Sequence, residues 1–256
     1  MEPDYSIVVP AFNEEAFLPA TLEAIREAHA AAHAELGLKG ETVVVDNNST
    51  DRTSEVARGA GADQVVFEPV NQISRSRNAG ARAAKGRFLV FLDADTHLPP
   101  ALLVKALAEL QTGECCGGGA CIDTDHQFPP PASWMLALWN RISANWGLAA
   151  GSFIYCTAEA FEAADGFDET VFAGEEIWFS KHVGRWGKGR ELRFTVFESP
   201  RPRTSARKGE WVGGIGLFLQ MFLIFVFPWA TKSRALCWTW YRRPDSTRSE
   251  PDPPPA

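Results

Sequence analysis

Two carboxylates, Asp93 and Asp95, stand one residue apart directly after the apolar run at residues 88–92. Carboxylate oxygens are the ligands that hard divalent cations such as Mg²⁺ and Mn²⁺ prefer. A cation held at the end of a buried strand can neutralise a diphosphate and act on it as a Lewis acid. Short acidic pairs also occur on solvated turns, so the rest of the chain has to distinguish a metal site from a surface turn.

A second acidic pair, Glu175 and Glu176, comes much later in the chain. The residues that follow predict a helix over residues 175–186. Carboxylates in the first turn of a helix are stabilised by the helix dipole, and this is one interpretation of the pair. The other interpretation is a general base, a carboxylate that accepts a proton from a reacting hydroxyl group.

The elements that must position these residues alternate between apolar strands and helices. We predict strands at residues 6–10, 42–46, 64–67, 88–92 and 192–197, and helices that include residues 18–34, 75–84 and 175–186. Such alternation is typical of a doubly wound, mostly parallel α/β sheet. Ligands bind these sheets beyond the carboxyl ends of the strands, where Asp46, Asp93 and the loop at residues 11–14 are expected to meet.

The second half of the chain is less regular. Three glycines at residues 117–119 predict a flexible break, and an aromatic-rich stretch at residues 134–155 is expected to pack on the sheet or to lie at a membrane surface. Residues 213–229 carry Gln220 as their one polar side chain. That length is near the lower limit for a membrane-spanning helix, so residues 211–230 are predicted to insert into or lie on a membrane, with a buried core helix as the alternative.

Composition excludes some classes of partner and compartment. The chain has 256 residues, of which 45% are hydrophobic and 22% charged, as in folded proteins. A net charge of −7 disfavours a nucleic-acid partner, because no general basic field exists to release counterions from phosphates. The five cysteines lack zinc-site spacing and are expected to be reduced, and the first residues do not resemble a secretory signal.

Five short motifs, in order along the chain, resemble those of family 2 glycosyltransferases with the GT-A fold. They lie at residues 10–15, at residues 45–51, at residues 77–80 (the segment continues to 85–86), at residues 91–95, and at residues 166–169 together with 174–176. The resemblance covers residues 5–198 and implies a Rossmann-like, mostly parallel sheet flanked by helices. It also implies a nucleotide-diphospho-sugar transferase.

The resemblance implies that the first loop and the aspartate after the second strand bind the nucleoside of the donor. The residues that carry over are Pro10, Phe12, Asn13, Glu14 and Asp46. An aspartate can accept a hydrogen bond from a ring N–H of uracil or guanine, whereas adenine lacks that donor, so UDP- or GDP-sugars are favoured. Arg77 is expected to contact the nucleotide as well, with a surface helix charge as the alternative.

By the same resemblance, Asp95 ligates Mg²⁺ or Mn²⁺, and Asp93 either shares the ion or lies nearer the ribose. Ala94, between them, belongs to the donor-binding motif. Glu176 matches the position of the catalytic base, although the family usually has aspartate there, and Glu175 is the second candidate. That base would deprotonate the acceptor hydroxyl for direct displacement with inversion.

Three other functions remain as alternatives. A phosphatase of the haloacid dehalogenase type also places two aspartates after a strand, but its pattern requires threonine where this chain has His97. A sugar nucleotidyltransferase normally needs a glycine-rich basic loop, and residues 10–19 contain no glycine. A catalytically inactive carbohydrate-binding membrane protein would not need the retained acidic residues.

A basic cluster follows the domain that carries the motifs. It consists of Arg201, Arg203, Arg207 and Lys208, which could close over a diphosphate, meet anionic lipid headgroups or form a solvated loop.

From the extent of the motifs we predict a glycosyltransferase domain at residues 1–200, with a nucleotide-binding half at 1–98 and an acceptor-side half at 99–200. A basic and hydrophobic segment is predicted at 201–243, and a disordered tail at 244–256.

The predicted location follows from the hydrophobic segment. We expect the protein on the cytoplasmic side of the cell membrane, or otherwise in the cytoplasm. Its expected partners are a nucleotide-sugar donor, a saccharide or lipid-linked acceptor and the membrane itself.

Overall fold

The structure, a computed structural model, describes residues 2–126, 132–207, 223 and 228–237. The strands are β1 (Tyr5–Ala11), β2 (Gly40–Asp46), β3 (Gln64–Phe67), β4 (Phe88–Leu92), β5 (Thr96–His97), β6 (Cys115–Ala120), β7 (Asp123–Thr124), β8 (Phe153–Thr157), β9 (Arg193–Phe197) and β10 (Arg203–Thr204). The helices are α1 (Leu18–Leu36), α2 (Thr53–Gly59), α3 (Ile73–Ala83), α4 (Pro100–Gln111), α5 (Ala132–Trp146), α6 (Ala158–Ala163) and α7 (Glu175–Lys188), and a 3₁₀ turn covers Pro228–Lys232.

The main sheet has seven strands in the order β3-β2-β1-β4-β8-β6-β9. Within the described residues, β8 is the strand of this sheet that runs antiparallel to both of its neighbours. The predicted mostly parallel α/β sheet is therefore confirmed. The register pairs Ala11 with Asp46, so the loops that follow β1 and β2 start at the same level of the sheet.

Helices cover both faces of the sheet because alternate residues of its apolar strands point to opposite sides. Ile7 and Val9 belong to the core cluster that includes α1 and α4. Val8 belongs to the cluster on the other face, beneath α3, α6 and α7. That face holds an aromatic group in which the rings of Phe167 and Phe179 stack with centroids 4.3 Å apart.

The three glycines at residues 117–119 form part of β6, so the prediction of a flexible break was wrong. β6 lies between β8 and β9, which approach it closely. A Cβ atom on Gly118 would lie 1.8 Å from the carbonyl oxygen of Thr195 and 2.6 Å from the hydroxyl of Tyr155. Glycine is thus required here for close packing inside a strand, a role that local sequence does not distinguish from a turn.

The aromatic-rich stretch divides into α5 and the buried strand β8. The prediction that it packs on the sheet was wrong for β8, which is a strand within the main sheet and has Phe153 and Tyr155 fully buried. Helix α5 instead presents Trp134, Leu138 and Trp146 to solvent, each more than half exposed.

A small second sheet lies next to the acidic turn after β4. Its order is β5-β10-β7, with β10 antiparallel to β5 and parallel to β7. It holds the first part of the predicted basic segment in place, while Lys208, most of the apolar stretch at 211–230 and the tail at 244–256 lie outside the described residues. In the part of the chain that the structure covers, no helix has both the length and the apolarity that a membrane span requires.

Candidate active site

The loops after β1 and β2 are joined by hydrogen bonds at the carboxyl edge of the sheet. The backbone N–H of Asn13 donates to Ser49 Oγ at 3.0 Å, and the backbone N–H of Thr50 donates to Asn13 Oδ1 at 2.8 Å. Asn13 has a φ of 52°, a left-handed conformation that asparagine tolerates better than most residues. Pro10 is buried inside β1 and Phe12 is half-buried at the start of the loop. The predicted nucleoside-binding loop is thus hydrogen-bonded to the loop that follows β2.

Asp46 is buried and its carboxylate is held from two sides. Oδ1 accepts a hydrogen bond from the backbone N–H of Ser49 at 2.9 Å, and Oδ2 accepts from Ser54 Oγ at 2.5 Å. The neighbouring Asn47 donates to the backbone oxygens of Glu68 and Val70. Asn47 therefore anchors the turn that orients Asp46, a role that sequence analysis did not assign.

Arg77 connects the two acidic pairs. Its Nη1 donates to Glu175 Oε1 at 2.6 Å, and its Nη2 donates to Asp93 Oδ1 at 3.1 Å and to the carbonyl oxygen of Gly151 at 2.8 Å. The side chain is only 2% exposed. Burial opposes the positive charge, but the carboxylates of Glu175, Asp93 and Glu176 outweigh it and raise the pKa of Arg77. The surface-charge alternative is therefore wrong, and the expected nucleotide contact stays a prediction.

Asp95 lies under the end of the second sheet. Its Oδ2 is 3.0 Å from Nη2 of Arg207, and its backbone oxygen accepts from the N–H of Ser205 at 3.2 Å. The same Arg207 Nη2 donates to Glu14 Oε1 at 2.5 Å, so one guanidinium group links the first loop to the acidic turn. Ala94 is buried, and its carbonyl oxygen accepts from Thr21 Oγ1 of α1. His97 is exposed in β5.

The chemistry of Asp93 and Asp95 fits a divalent cation. Among the described residues there is no group of three or more His, Cys, Asp or Glu side chains that could hold a metal by themselves. Mg²⁺ in nucleotide enzymes is commonly held by one or two carboxylates, with substrate phosphates and water completing its coordination. Both carboxylates contact guanidinium groups here, which shows that this place accommodates positive charge.

Glu175 and Glu176 begin α7, directly after Gly174, whose φ of 70° turns the chain into the helix. The two side chains have different environments. Glu175 is buried against Arg77, whereas Glu176 keeps part of its surface exposed beside Gly151. Burial raises the pKa of Glu176 to about 8, and repulsion from Glu175 adds to the shift. A carboxylate with a raised pKa is a stronger proton acceptor, which favours Glu176 as the base.

The loop before α7 is fixed on α3. Asn78 donates to the carbonyl oxygen of Phe167 at 2.9 Å and accepts from its N–H at 2.9 Å. Glu169 accepts from Asn78 Nδ2 at 3.0 Å and from Arg75 Nη1 at 2.9 Å. These contacts join residues about ninety positions apart, so no local sequence pattern could predict them. Helix α3 therefore supports both the acidic turn and the predicted acceptor-side loop.

Comparison with known proteins identifies sequence relatives of this chain. The chain is 40% identical over 108 residues to an uncharacterized glycosyltransferase from Mycobacterium tuberculosis, a match that covers 42% of this chain and 44% of that protein. It is 34% identical over 116 residues to an undecaprenyl-phosphate 4-deoxy-4-formamido-L-arabinose transferase from Pseudomonas fluorescens, covering 42% of this chain and 32% of that protein. The matches thus span less than half the length of these curated relatives.

Solved structures share the fold. A mannosyltransferase from Pyrobaculum calidifontis in complex with GDP-Man and Mn²⁺ aligns with a TM-score of 0.60 at 20% identity, over 87% of this chain and 65% of that one. Glucosyl-3-phosphoglycerate synthase from Mycobacterium tuberculosis, in complex with Mn²⁺, UDP and glucosyl-3-phosphoglycerate, aligns with a TM-score of 0.57 at 19% identity, over 86% and 79% of the two chains. These likenesses confirm the expected GT-A-like architecture.

The family assignment rests on the sequence itself. Residues 6–143, which carry the two joined loops, Arg77 and the turn at residues 93–95, match the family described as Glycosyl transferase family 2. This match covers more than half of the chain and agrees with the motifs and the fold. The chain belongs to glycosyl transferase family 2.

Proposed function

We propose that the protein transfers a sugar from a UDP- or GDP-sugar to an acceptor hydroxyl group, with inversion at the anomeric carbon. The observation that carries this proposal is the double contact of Arg77 with Asp93 and Glu175. It joins Asp93, one of the two candidate cation ligands, to Glu175, the neighbour of the candidate base, at the carboxyl edge of the sheet. A sugar bound between them would have its diphosphate on one side and its acceptor on the other.

Asp46 is the residue proposed to recognise the nucleobase. Ser49 and Ser54 hold its carboxylate, which leaves remaining lone pairs to accept from a ring N–H of uracil or guanine. The two loops that the hydrogen bond between Asn13 and Thr50 joins lie beside Asp46. Structural neighbours bind nucleotides of these two kinds, one of them GDP-Man and another UDP.

Asp95 and Asp93 would hold Mg²⁺ or Mn²⁺ on the donor diphosphate. The cation, when bound, neutralises the leaving nucleoside diphosphate as a Lewis acid. Glu176 accepts the proton of the acceptor hydroxyl while the acceptor oxygen bonds to the anomeric carbon and the bond from that carbon to the phosphate oxygen breaks. Arg77 orients Asp93 and Glu175, while burial and repulsion from Glu175 raise the pKa of Glu176.

A lipid-linked acceptor is part of the proposal. One relative is named as an undecaprenyl-phosphate transferase, which supports an acceptor at a membrane. The exposed side chains of Trp134, Leu138 and Trp146 on α5 and the apolar composition of residues 211–230 support location at the cytoplasmic membrane face. Flotation of the full chain with anionic liposomes tests this, and a protein that stays at the bottom of the gradient contradicts it.

The decisive test of the enzyme proposal is a donor panel. Purified protein is incubated with UDP- and GDP-sugars and Mn²⁺, and release of the nucleoside diphosphate is measured with and without candidate acceptors. Asp95→Asn should abolish release, and Asp46→Asn should raise KM for the donor more than it lowers kcat. Absence of binding and turnover for every donor, or full activity of Asp95→Asn, refutes the proposal.

Glu176→Gln distinguishes two kinds of acceptor. Loss of a general base typically costs about 10²–10⁴-fold in rate when the acceptor is a hydroxyl group. A phosphate acceptor arrives without its proton and needs no base, so the variant would then keep most of its rate. Retained transfer by Glu176→Gln therefore argues against the hydroxyl acceptor and for a lipid phosphate.

A further inference from the structure

Arg207 occupies a position that its place in the sequence does not explain. It lies just after β10, yet its guanidinium group is 2.5 Å from Glu14 Oε1 and 3.0 Å from Asp95 Oδ2. The Cζ atom also lies 4.3 Å from the ring centroid of Phe17, a cation–π contact. Arg207 thus links the first loop, the acidic turn and the start of α1.

Charge explains why a cation is needed at this place. The side chains of Glu14 and Asp95 are only 5% and 8% exposed. Two nearly buried carboxylates without a compensating charge would destabilise the folded protein, because burial of an unpaired charge is unfavourable. Arg207 supplies the positive charge at Asp95 Oδ2, while Asp95 Oδ1 accepts from Thr204 Oγ1 at 3.4 Å.

A divalent cation bound to Asp95 would lie close to the guanidinium group on the same carboxylate. They carry like charges, and at such short distances their repulsion in a partly buried site is large. When a metal–nucleotide complex binds to Asp95, Arg207 is repelled from Asp95 but still has Glu14 beside it. The phosphate oxygens of the nucleotide offer it a further anion, and a nucleoside diphosphate such as UDP carries more negative charge than one divalent cation neutralises.

The backbone around Arg207 allows this exchange by side-chain movement. Strand β10 is paired with β5, and the N–H of Ser205 donates to the backbone oxygen of Asp95 at 3.2 Å. The N–H of Ala206 donates to Asp125 Oδ1 at 2.8 Å. The backbone is thus anchored beside the site, while the planar guanidinium group suits bidentate contact with phosphate oxygens.

We propose that Arg207 holds Asp95 as an internal counter-cation in the donor-free protein and moves to the donor diphosphate when the metal–nucleotide complex binds. This inference rests on the proposed function, because it takes the ligand to be a nucleoside diphosphate with its cation. It makes Arg207 a residue that stabilises the empty site and then contacts the loaded one. Arg207 would therefore weaken the binding of free metal and strengthen the binding of nucleotide.

Opposite effects on two affinities test the proposal. Mn²⁺ binding is measured by electron paramagnetic resonance of the free ion, first without nucleotide and then with UDP or GDP. Arg207→Gln should bind Mn²⁺ alone about tenfold more tightly, because the competing charge is gone. The same variant should bind the Mn²⁺–nucleotide complex about tenfold more weakly, because the phosphate contact is lost.

Arg203→Gln is the matched control. Arg203 lies on β10, a short way before Arg207, and is exposed, so its replacement removes one positive charge without touching Asp95. Both affinities should stay within about twofold of the wild type in this variant. Arg207→Lys, which keeps the charge, should retain weak binding of Mn²⁺ alone, and it covers the case in which Arg207→Gln does not fold.

The outcomes separate this inference from the proposed function. Wild-type protein that binds neither UDP nor GDP with Mn²⁺ refutes the proposed function and the exchange together. Normal nucleotide binding by the wild type, with unchanged Mn²⁺ affinity in Arg207→Gln, refutes the role of Arg207 alone. A decrease of both affinities in Arg207→Gln would mean that the residue only supports the fold, and it also overturns the exchange.

Discussion

Replacing Arg77 by methionine should lower the free energy of unfolding by about 3–5 kcal/mol, the usual cost of breaking a buried ion pair from one side. The side chain is 2% exposed, so water cannot replace it next to Glu175, which is also buried. Methionine keeps much of the apolar stem, and the loss is therefore mainly electrostatic. The donor to the carbonyl oxygen of Gly151 is lost as well.

A double-mutant cycle with Glu175→Gln assigns this cost to the ion pair. Glutamine removes the stranded charge, so the double variant should be more stable than the sum of the two single losses predicts. The expected coupling is about 0.5–3 kcal/mol, the range for residues in direct contact. Unfolding in urea, followed by tryptophan fluorescence in EDTA at neutral pH, measures all four proteins.

Arg82→Met on the same helix is the control, because Arg82 is exposed. Its cost should stay within about 0.5 kcal/mol. The reasoning fails if Arg77→Met costs less than about 1 kcal/mol, or if the two single losses simply add. Either result would mean that the guanidinium group is not what holds the two acidic pairs together.

Three further predictions concern stability. Burial lowers the pKa of His29 from 6.5 to about 4, so the native state binds this proton less tightly than the unfolded chain does. The free energy of unfolding should therefore fall by up to about 3 kcal/mol between pH 6.5 and pH 4, and His29→Gln should flatten that slope in acid unfolding curves. The pKa of Glu176 is raised from 4.5 to about 8, so its stabilising contribution is greatest below pH 4.5 and is lost as the pH rises to 8. At pH 9, Glu176→Gln should therefore unfold at a higher temperature than the wild type, and this difference should shrink at pH 4. An equal difference at both pH values would contradict the shift. Gly118→Ala should lower the free energy of unfolding by about 3 kcal/mol or more in thermal unfolding, because its Cβ would meet the carbonyl oxygen of Thr195. Gly59→Ala is the control: it has open space and should be neutral or slightly stabilising. Equal effects of the two variants would contradict the close packing of β6.

Most of the fold could be predicted from the sequence because its signals are local. Strands β1, β2 and β4 are apolar runs buried on both faces, which is typical of parallel sheets. The polar turns after them necessarily meet at one edge, so Asp46 and Asp93 could be placed together in advance. The start of α7 at Glu175 followed in the same way from helical spacing.

The second half was less predictable because its signals depend on neighbours. A run of glycines is typical of a flexible turn, and only the approach of β8 and β9 makes it a strand. The antiparallel strand β8 was hidden in an aromatic-rich stretch, since a short buried strand and a buried helix share the same apolar composition. The domain boundaries at residues 98 and 200 remain predictions.

The sequence by itself determined which residue types reach the carboxyl edge: the turn at residues 93–95, the loop at 11–14 and the glutamates that begin α7. These follow from the length and periodicity of the elements, which neighbouring residues decide. Only the tertiary structure decided how the charges pair. Arg77 meets Glu175 across 98 positions, and Arg207 meets Glu14 across 193. Such pairs depend on which segments the fold brings together, because a buried charge is stable only beside an opposite charge, however far apart the two residues are in sequence.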